Sequence, residues 1–444
     1  MNYTVWTLLV DVGIISALLM LGKLFRAKVK FIQKLFLPPS LIAGFVALIL
    51  GPEVLRWLPL SENCGTYSGL LIAMVFGCIP FSSTKTAVKG SEGVWRMWAY
   101  SNAGMLFQWG LGGALGLLLI SRIWSVDKAF GIAMPAGFCG GHGTAAAMGD
   151  VFAQYGFEDM ISIAMTFATV GVVTAVIVGL FMIKWGTNHG KTQFLNKYSE
   201  LPEELRTGIL HPNKEESFGK VSFSSISLDS LTFNFGIIVL ITLIGYGISI
   251  LVSHLCPKIV FPVFICAFVV SIVIKKMFDT KGLSKYISSK MIGHLSCSFT
   301  DYLIAFGIAS IKIEVIWQLI VPIIITIFIG LILTYLFVIE VGKRIAGDYW
   351  FEKAIFTWGW FTGTMSLSIV LLRIVDPDMK SGCFDDYAYA YVYVAPLEIV
   401  LISLAPIAFY TGYGWLYVTV SLFGGTATLV FAHLKGWLNK SFNK

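Results

Sequence analysis

The sequence predicts an all-α polytopic membrane protein. It is read as two inverted-topology repeats of five transmembrane helices, each with a re-entrant Gly-rich hairpin, plus one extra C-terminal helix. Three observations predict this class. Apolar runs of about 20 residues, the length that spans a bilayer core, recur along all 444 residues. The chain is 57% hydrophobic and 13% charged, with mean hydropathy +0.80, whereas a soluble domain carries about 25% charged residues. Finally, two short motifs recur at nearly one separation, described below.

The apolar runs place helices near 5–24, 37–51, 66–82, 97–121 and 159–184 in the first half. The second half has them near 231–253, 259–275, 291–310, 315–339 and 387–409, and a last one falls near 413–434. The first run begins almost at Met1 and lacks a small-residue cleavage site, so it is read as a retained helix and not a signal peptide. Between the halves lies a polar stretch, 186–229, holding Pro202 and Pro212, the one candidate linker. The seven cysteines are scattered singly with no CxxC, which predicts neither a structural metal nor a disulfide framework. The net charge of +7 sits in short loops, which points to topology and away from nucleic acid.

Residues 128–153 and 349–374 are apolar but interrupted by Gly and Thr. If each enters the bilayer and returns, the basic residues sort to one side. Lys23, Arg26, Lys28, Lys30, Lys34, Lys85 and Lys89 fall there with the linker. So do Lys275, Lys276, Lys281, Lys285, Lys290, Lys343, Arg344, Lys435, Lys440 and Lys444. Only a few, such as Arg56, Arg122 and Lys312, fall opposite. The positive-inside rule then puts the N-terminus outside and the C-terminus inside.

The repeat is visible in two places. PSLIAGFV (39–46) aligns with PVFICAFV (262–269), pairing Pro39 with Pro262 and Phe45 with Phe268. GFCGGHGT (137–144) aligns with GWFTGTMS (359–366), pairing Gly137 with Gly359, Gly141 with Gly363 and Thr144 with Ser366. Five spans precede the linker, so the second copy enters from the opposite side, the pattern of secondary transporters. The expected domains are a first repeat, 1–185, the linker, 186–229, a second repeat, 230–412, and an appended helix with tail, 413–444.

The stretch GFCGGHGTAAAMGD (137–150) concentrates five glycines, His142, Thr144 and Asp150 between apolar spans. Irregular backbone at membrane depth must be buried in protein or line a watery cavity. Gly140, Gly141 and Gly143 leave main-chain groups open to a ligand. An arm starting a helix near Thr144 offers unpaired N–H groups to a carboxylate. The preceding arm offers carbonyls to a bare cation. His142 donates to a carboxylate or carries a proton, and the alternative for the glycines is close helix packing. Hydroxyls of Thr144, Thr362, Thr364 and Ser366 serve either ligand. The substrate set is therefore Gly140, Gly141, His142, Gly143, Thr144, Gly363, Thr364, Ser366 and Arg373. Arg373 grips an anion or anchors at the membrane edge. For sodium the set is Thr166, Thr169, Thr362, Asp301 and Glu398. The threonines alternatively bond back to their own helix. Asp11, Asp301 and Glu398 are costly inside spans, and Asp11 is read as functional or as a partner to a neighbouring helix.

The runs GGHGTAAA, FAQYGF, AMTFATVG and LPPSLIAGFVAL resemble the sodium–glutamate symporter family. Gly140 to Thr144 sit in the family's pattern, and the resemblance runs to about residue 410. The second loop, WGWFTGTMS, keeps Gly359 and Gly363 but places Phe361 where the family has Gly, beside Trp358 and Trp360. The resemblance implies sodium-coupled symport of glutamate or a related carboxylate or amino acid, with sodium the coupling ion and no other cofactor. It also implies an elevator-like homodimer in the bacterial inner membrane. A channel with re-entrant filter loops and a proton-coupled carboxylate transporter are the alternatives. An intramembrane enzyme is disfavoured, since HExxH and GxSxG are absent.

Overall fold

A computed structural model describes residues 4–34, 36–82, 91–194, 207, 209, 217–221, 226–255, 262–377 and 379–438. Lys85, Lys89, Pro202, Pro212, Lys440, Lys444 and most of the 186–229 linker lie outside the described residues, as does the side chain of Lys34. Among the described residues there is no strand, and nine helices are long and apolar enough to cross a bilayer.

The chain opens with α1 (Val5–Lys28), α2 (Pro39–Leu50) and α3 (Cys64–Ser82). Pro38 caps α2 and Pro39 takes its first position, where a missing N–H costs nothing. The 12 residues of α2 cover only about 18 Å, short of the ~30 Å hydrocarbon core. The expected span 37–51 is thus a short helix. Next, α4 (Glu92–Leu115) continues through a π-helical turn, Gly116–Ile120, to Ile123. The first interrupted segment forms α5 (Ala133–Gly137) and α6 (Gly141–Gln154), followed by α7 (Met160–Asn188). The second half holds α8 (Ser230–Leu255), α9 (Val263–Thr280) and α10 (Ser289–Ala309). After them, α11 (Ile320–Leu336) also runs into a π-helical turn, Phe337–Val341. The second interrupted segment forms α12 (Trp350–Thr362) and α13 (Met365–Val375), and α14 (Cys383–Tyr410) and α15 (Gly414–Leu434) end the described chain.

Two sets of helices pack separately. In the first, α3 and α10 lie side by side, α2 packs on α10, α9 packs on α3, α1 covers α2 and α8 covers α9. Small residues set these approaches. Ser68 Oγ donates to Leu303 O at 3.1 Å, and Ser271 Oγ to Gly77 O at 2.6 Å. In the second set, α7 is the axis, with α5, α6, α12 and α13 all packed along it. The α4 helix lies against α14 and α15. A Cβ at Gly110 would meet Leu422 at 2.7 Å, and one at Gly113 would meet Val418 at 2.8 Å. The last helix is therefore seated on α4 and is no loose appendage. The sets meet where α3 and α10 touch α6 and α7.

Asp11 is fully buried and accepts from Ser61 N at 2.9 Å, from Ser61 Oγ, and from Tyr67 Oη at 3.0 Å. It ties α1 to the start of α3, which is the helix-partner reading. Asp11→Ala removes the acceptor of these three hydrogen bonds and is expected to destabilise the fold by about 2–3 kcal/mol. A lowered thermal midpoint of the purified protein, with unchanged sodium dependence of ligand binding, is the expected measurement. An unchanged midpoint contradicts the structural role.

Candidate functional site

A helix that stops inside the membrane frees main-chain groups at its ends. Both interrupted segments stop a helix within the protein core, and their ends approach one another. Helix α6 starts at Gly141, three residues before the expected Thr144, and its cap residue Gly140 has no side chain to offer. The N–H groups of His142 and Gly143 donate to no backbone carbonyl. Gly141 has φ +63°, a conformation that favours glycine. A Cβ there would lie 3.4 Å from Gly363 O, the carbonyl at the end of α12. Across that second break, Gly363 N donates to Gly359 O at 2.9 Å, while the carbonyls of Thr362 and Gly363 accept no backbone hydrogen bond. A positive helix start therefore faces a negative helix end.

His142 is 3% exposed. Its Nε2 lies 3.2 Å from Thr169 Oγ1 on α7, and its Nδ1 has no partner among the described residues. Thr144 is buried and Gly143 faces Ile72 of α3, so the tip sits where the two helix sets meet. Thr362 is buried with its hydroxyl donating to Trp358 O at 2.8 Å. Thr364 caps α13 by accepting from Leu367 N at 3.3 Å.

The other expected residues are spread further. Thr166 lies one turn from Thr169, but its hydroxyl bonds back to Ser162 O at 2.8 Å. Ser366 is exposed in the first turn of α13. Arg373 is exposed in its last turn, about 10 Å along the axis from Ser366. Asp301 is exposed on α10 and lies within electrostatic reach of Lys23 on α1, away from the breaks. Glu398 on α14 accepts from Tyr391 Oη at 2.9 Å and lies within electrostatic reach of Cys139 in the first break. Asp150 is half-buried and packed against Gly69 of α3.

Three residues at the site were not singled out from sequence. Gly171 on α7 admits Thr362 O so closely that any Cβ there would overlap it. Gln108 on α4 donates to Phe361 O at 2.8 Å. Gly104, also on α4, receives the Phe361 ring. The ring points toward α4 and Phe337. The bulk of Phe361 therefore fills space on the α4 side of the break. A polar Gln in the apolar run MLFQWGLGG was the available signal.

The family model for the sodium/glutamate symporter matches residues 5–366. The match runs from α1 through both breaks and ends in the first turn of α13, short of the residue 410 expected from the sequence. Comparison with curated proteins gives no match. A family match over most of a chain whose apolar helices make it a multi-pass membrane protein assigns it: the chain belongs to the sodium/glutamate symporter family, a family of transporters.

Proposed function

We propose that the protein carries glutamate or a related carboxylate or amino acid across the membrane together with sodium, by alternating access. The observation that carries this reading is the approach of Gly141 to Gly363, whose carbonyl would lie 3.4 Å from a Cβ at 141. One helix start with unpaired N–H groups at His142 and Gly143 faces one helix end with unpaired carbonyls at Thr362 and Gly363. An anion suits the first and a sodium ion the second. In this reading Gly140, Gly141, His142, Gly143, Thr144, Gly363 and Thr364 surround the substrate, and Ser366 and Arg373 stand on its approach. Thr169, Thr362 and Glu398 are the nearest sodium-site residues, while Thr166 and Asp301 lie further off.

The packing supports two inverted halves with re-entrant hairpins. Val5 and Ser230, Pro39 and Val263, Cys64 and Ser289, and Met160 and Cys383 open corresponding helices, 223 to 225 residues apart. The two π-helical turns start at Gly116 and Phe337, 221 residues apart. Exchanging halves maps the α2–α10 contact onto α9–α3 and the α1–α2 contact onto α8–α9. The domain limits 1–185, 186–229, 230–412 and 413–444 follow this division. The set built on α7 carries both breaks and is proposed to slide as a body against the α3–α10 set, in an elevator-like cycle. Facing glycines at 69, 143 and 307 keep that boundary low. The N-terminus is placed outside and the C-terminus inside a bacterial inner membrane, and the working unit is proposed to be a homodimer.

Two experiments test this. Gly141→Leu forces a side chain into a positive-φ position, costing roughly 1–2 kcal/mol, and thrusts bulk at Gly363. It should abolish uptake into proteoliposomes while insertion persists, and His142→Ala should reduce uptake strongly; normal transport by Gly141→Leu would refute the paired-break site. Separately, lowering external sodium at fixed pH should cut glutamate uptake, and unlabelled substrate on the far side should drive counterflow. Uptake that follows only a pH gradient would make the proton the coupling ion.

A further inference from the structure

Gln108 lies mid-way along α4 and is 6% exposed. Its Nε2 donates to two acceptors at 2.8 Å each, Thr334 Oγ1 on α11 and Phe361 O on α12. A main-chain carbonyl only accepts, so the amide nitrogen faces it. Phe361 O is among the carbonyls released where α12 stops. The Gln108 Oε1 has no partner among the described residues. A buried acceptor without a donor is costly, and an apolar residue would avoid that cost if filling space were the only task.

Filling space is also not what happens here. A cavity of about 70 Å³ lies between α4 and α11, lined by Gly104, Gln108, Met134, Gly330, Thr334 and Phe361 among others. Phe361 borders this cavity; one amide hydrogen bond holds its carbonyl, and the other fixes Gln108 to Thr334. The tie also joins the halves, since α4 belongs to the first and α11 and α12 to the second.

We propose that Gln108 is a positioning residue for the cation-binding end of the second break. It turns the Phe361 carbonyl out of the site. The carbonyls of Thr362 and Gly363, the next two along the chain, are thereby held toward α7 and Gly141. This rests on the reading of that end as the sodium site.

The test uses the full chain in proteoliposomes, carrying Gln108→Leu or Gln108→Glu. Gln108→Leu should raise the sodium concentration for half-maximal glutamate uptake by about tenfold, the scale of one lost buried hydrogen bond. The maximal rate at saturating sodium should change little. Gln108→Glu should resemble Gln108→Leu at alkaline pH and recover toward the wild type as pH falls, because a protonated carboxyl has an O–H to donate to Phe361 O. The wild type over the same pH range is the reference. A merely structural role lowers stability and maximal rate but leaves the sodium requirement where it was and gives Gln108→Glu no acid recovery. Either of those results overturns the proposal. Should Gln108→Leu fail to insert, the pH profile of Gln108→Glu decides alone. Wild-type uptake that ignores sodium defeats the sodium-site reading itself, whereas sodium-dependent wild-type uptake with an unmoved Gln108→Leu defeats only the role of Gln108.

Discussion

Main-chain polar groups in a bilayer have no water to turn to, and this constraint organises the molecule. Continuous helices satisfy it internally. The breaks at 138–140 and 363–364 do not. Each frees a few N–H and C=O groups inside a protein core. The fold brings the two sets together, so a positive helix start faces a negative helix end across a gap that a single Cβ at Gly141 would close. Under the proposed function, places for an anion and a cation come from the geometry of interrupted helices, with little need for charged side chains.

That arrangement needs very close backbone approach, and α7 supplies it. Gly171 lets the Thr362 carbonyl rest on the helix, and Gly137 packs against Ala164 and Ala168 one turn earlier. Thr169, on the same helix, reaches His142 in the first break. One helix thus gauges the position of both interruptions. The first helix set is built differently, from hydroxyl-to-carbonyl bonds such as Ser271 to Gly77 and from the buried Asp11. It meets the helix after the first break through α3 and α10, with Ile72 against Gly143.

Much of this was legible in the sequence. Runs of apolar residues give helix number and order, because lipid leaves few other solutions. The glycine cluster at 140–143 marks the first break, since nothing else in an apolar chain explains so many helix breakers beside His142. Boundaries were less legible. The span at 37–51 is a short helix because Pro38 and Pro39 fix its start and Gly51 its end. Helix α6 begins before Thr144 because Gly141 turns through positive φ. Side-chain roles were least legible. Thr166, Thr169 and Thr362 look alike in sequence, yet only Thr169 directs its hydroxyl across to another segment. Asp11 and Asp301 carry the same charge in comparable runs, and only the fold reveals the three donors around Asp11. Gln108 acts on a residue 253 positions away, and no local pattern encodes such a pairing.

Phe361 and Gly104 form a lock and key between helices. The phenyl ring occupies the room that a side chain at 104 would need. Glycine in place of the ring enlarges a gap already present, and alanine at 104 collides with it. A Cβ at 104 would also meet Phe337 at 2.5 Å, so removing the Phe361 ring alone does not make room for a side chain there. Position 104 is therefore closed to any side chain by two rings at once, and variation at 361 by itself leaves that closure in place.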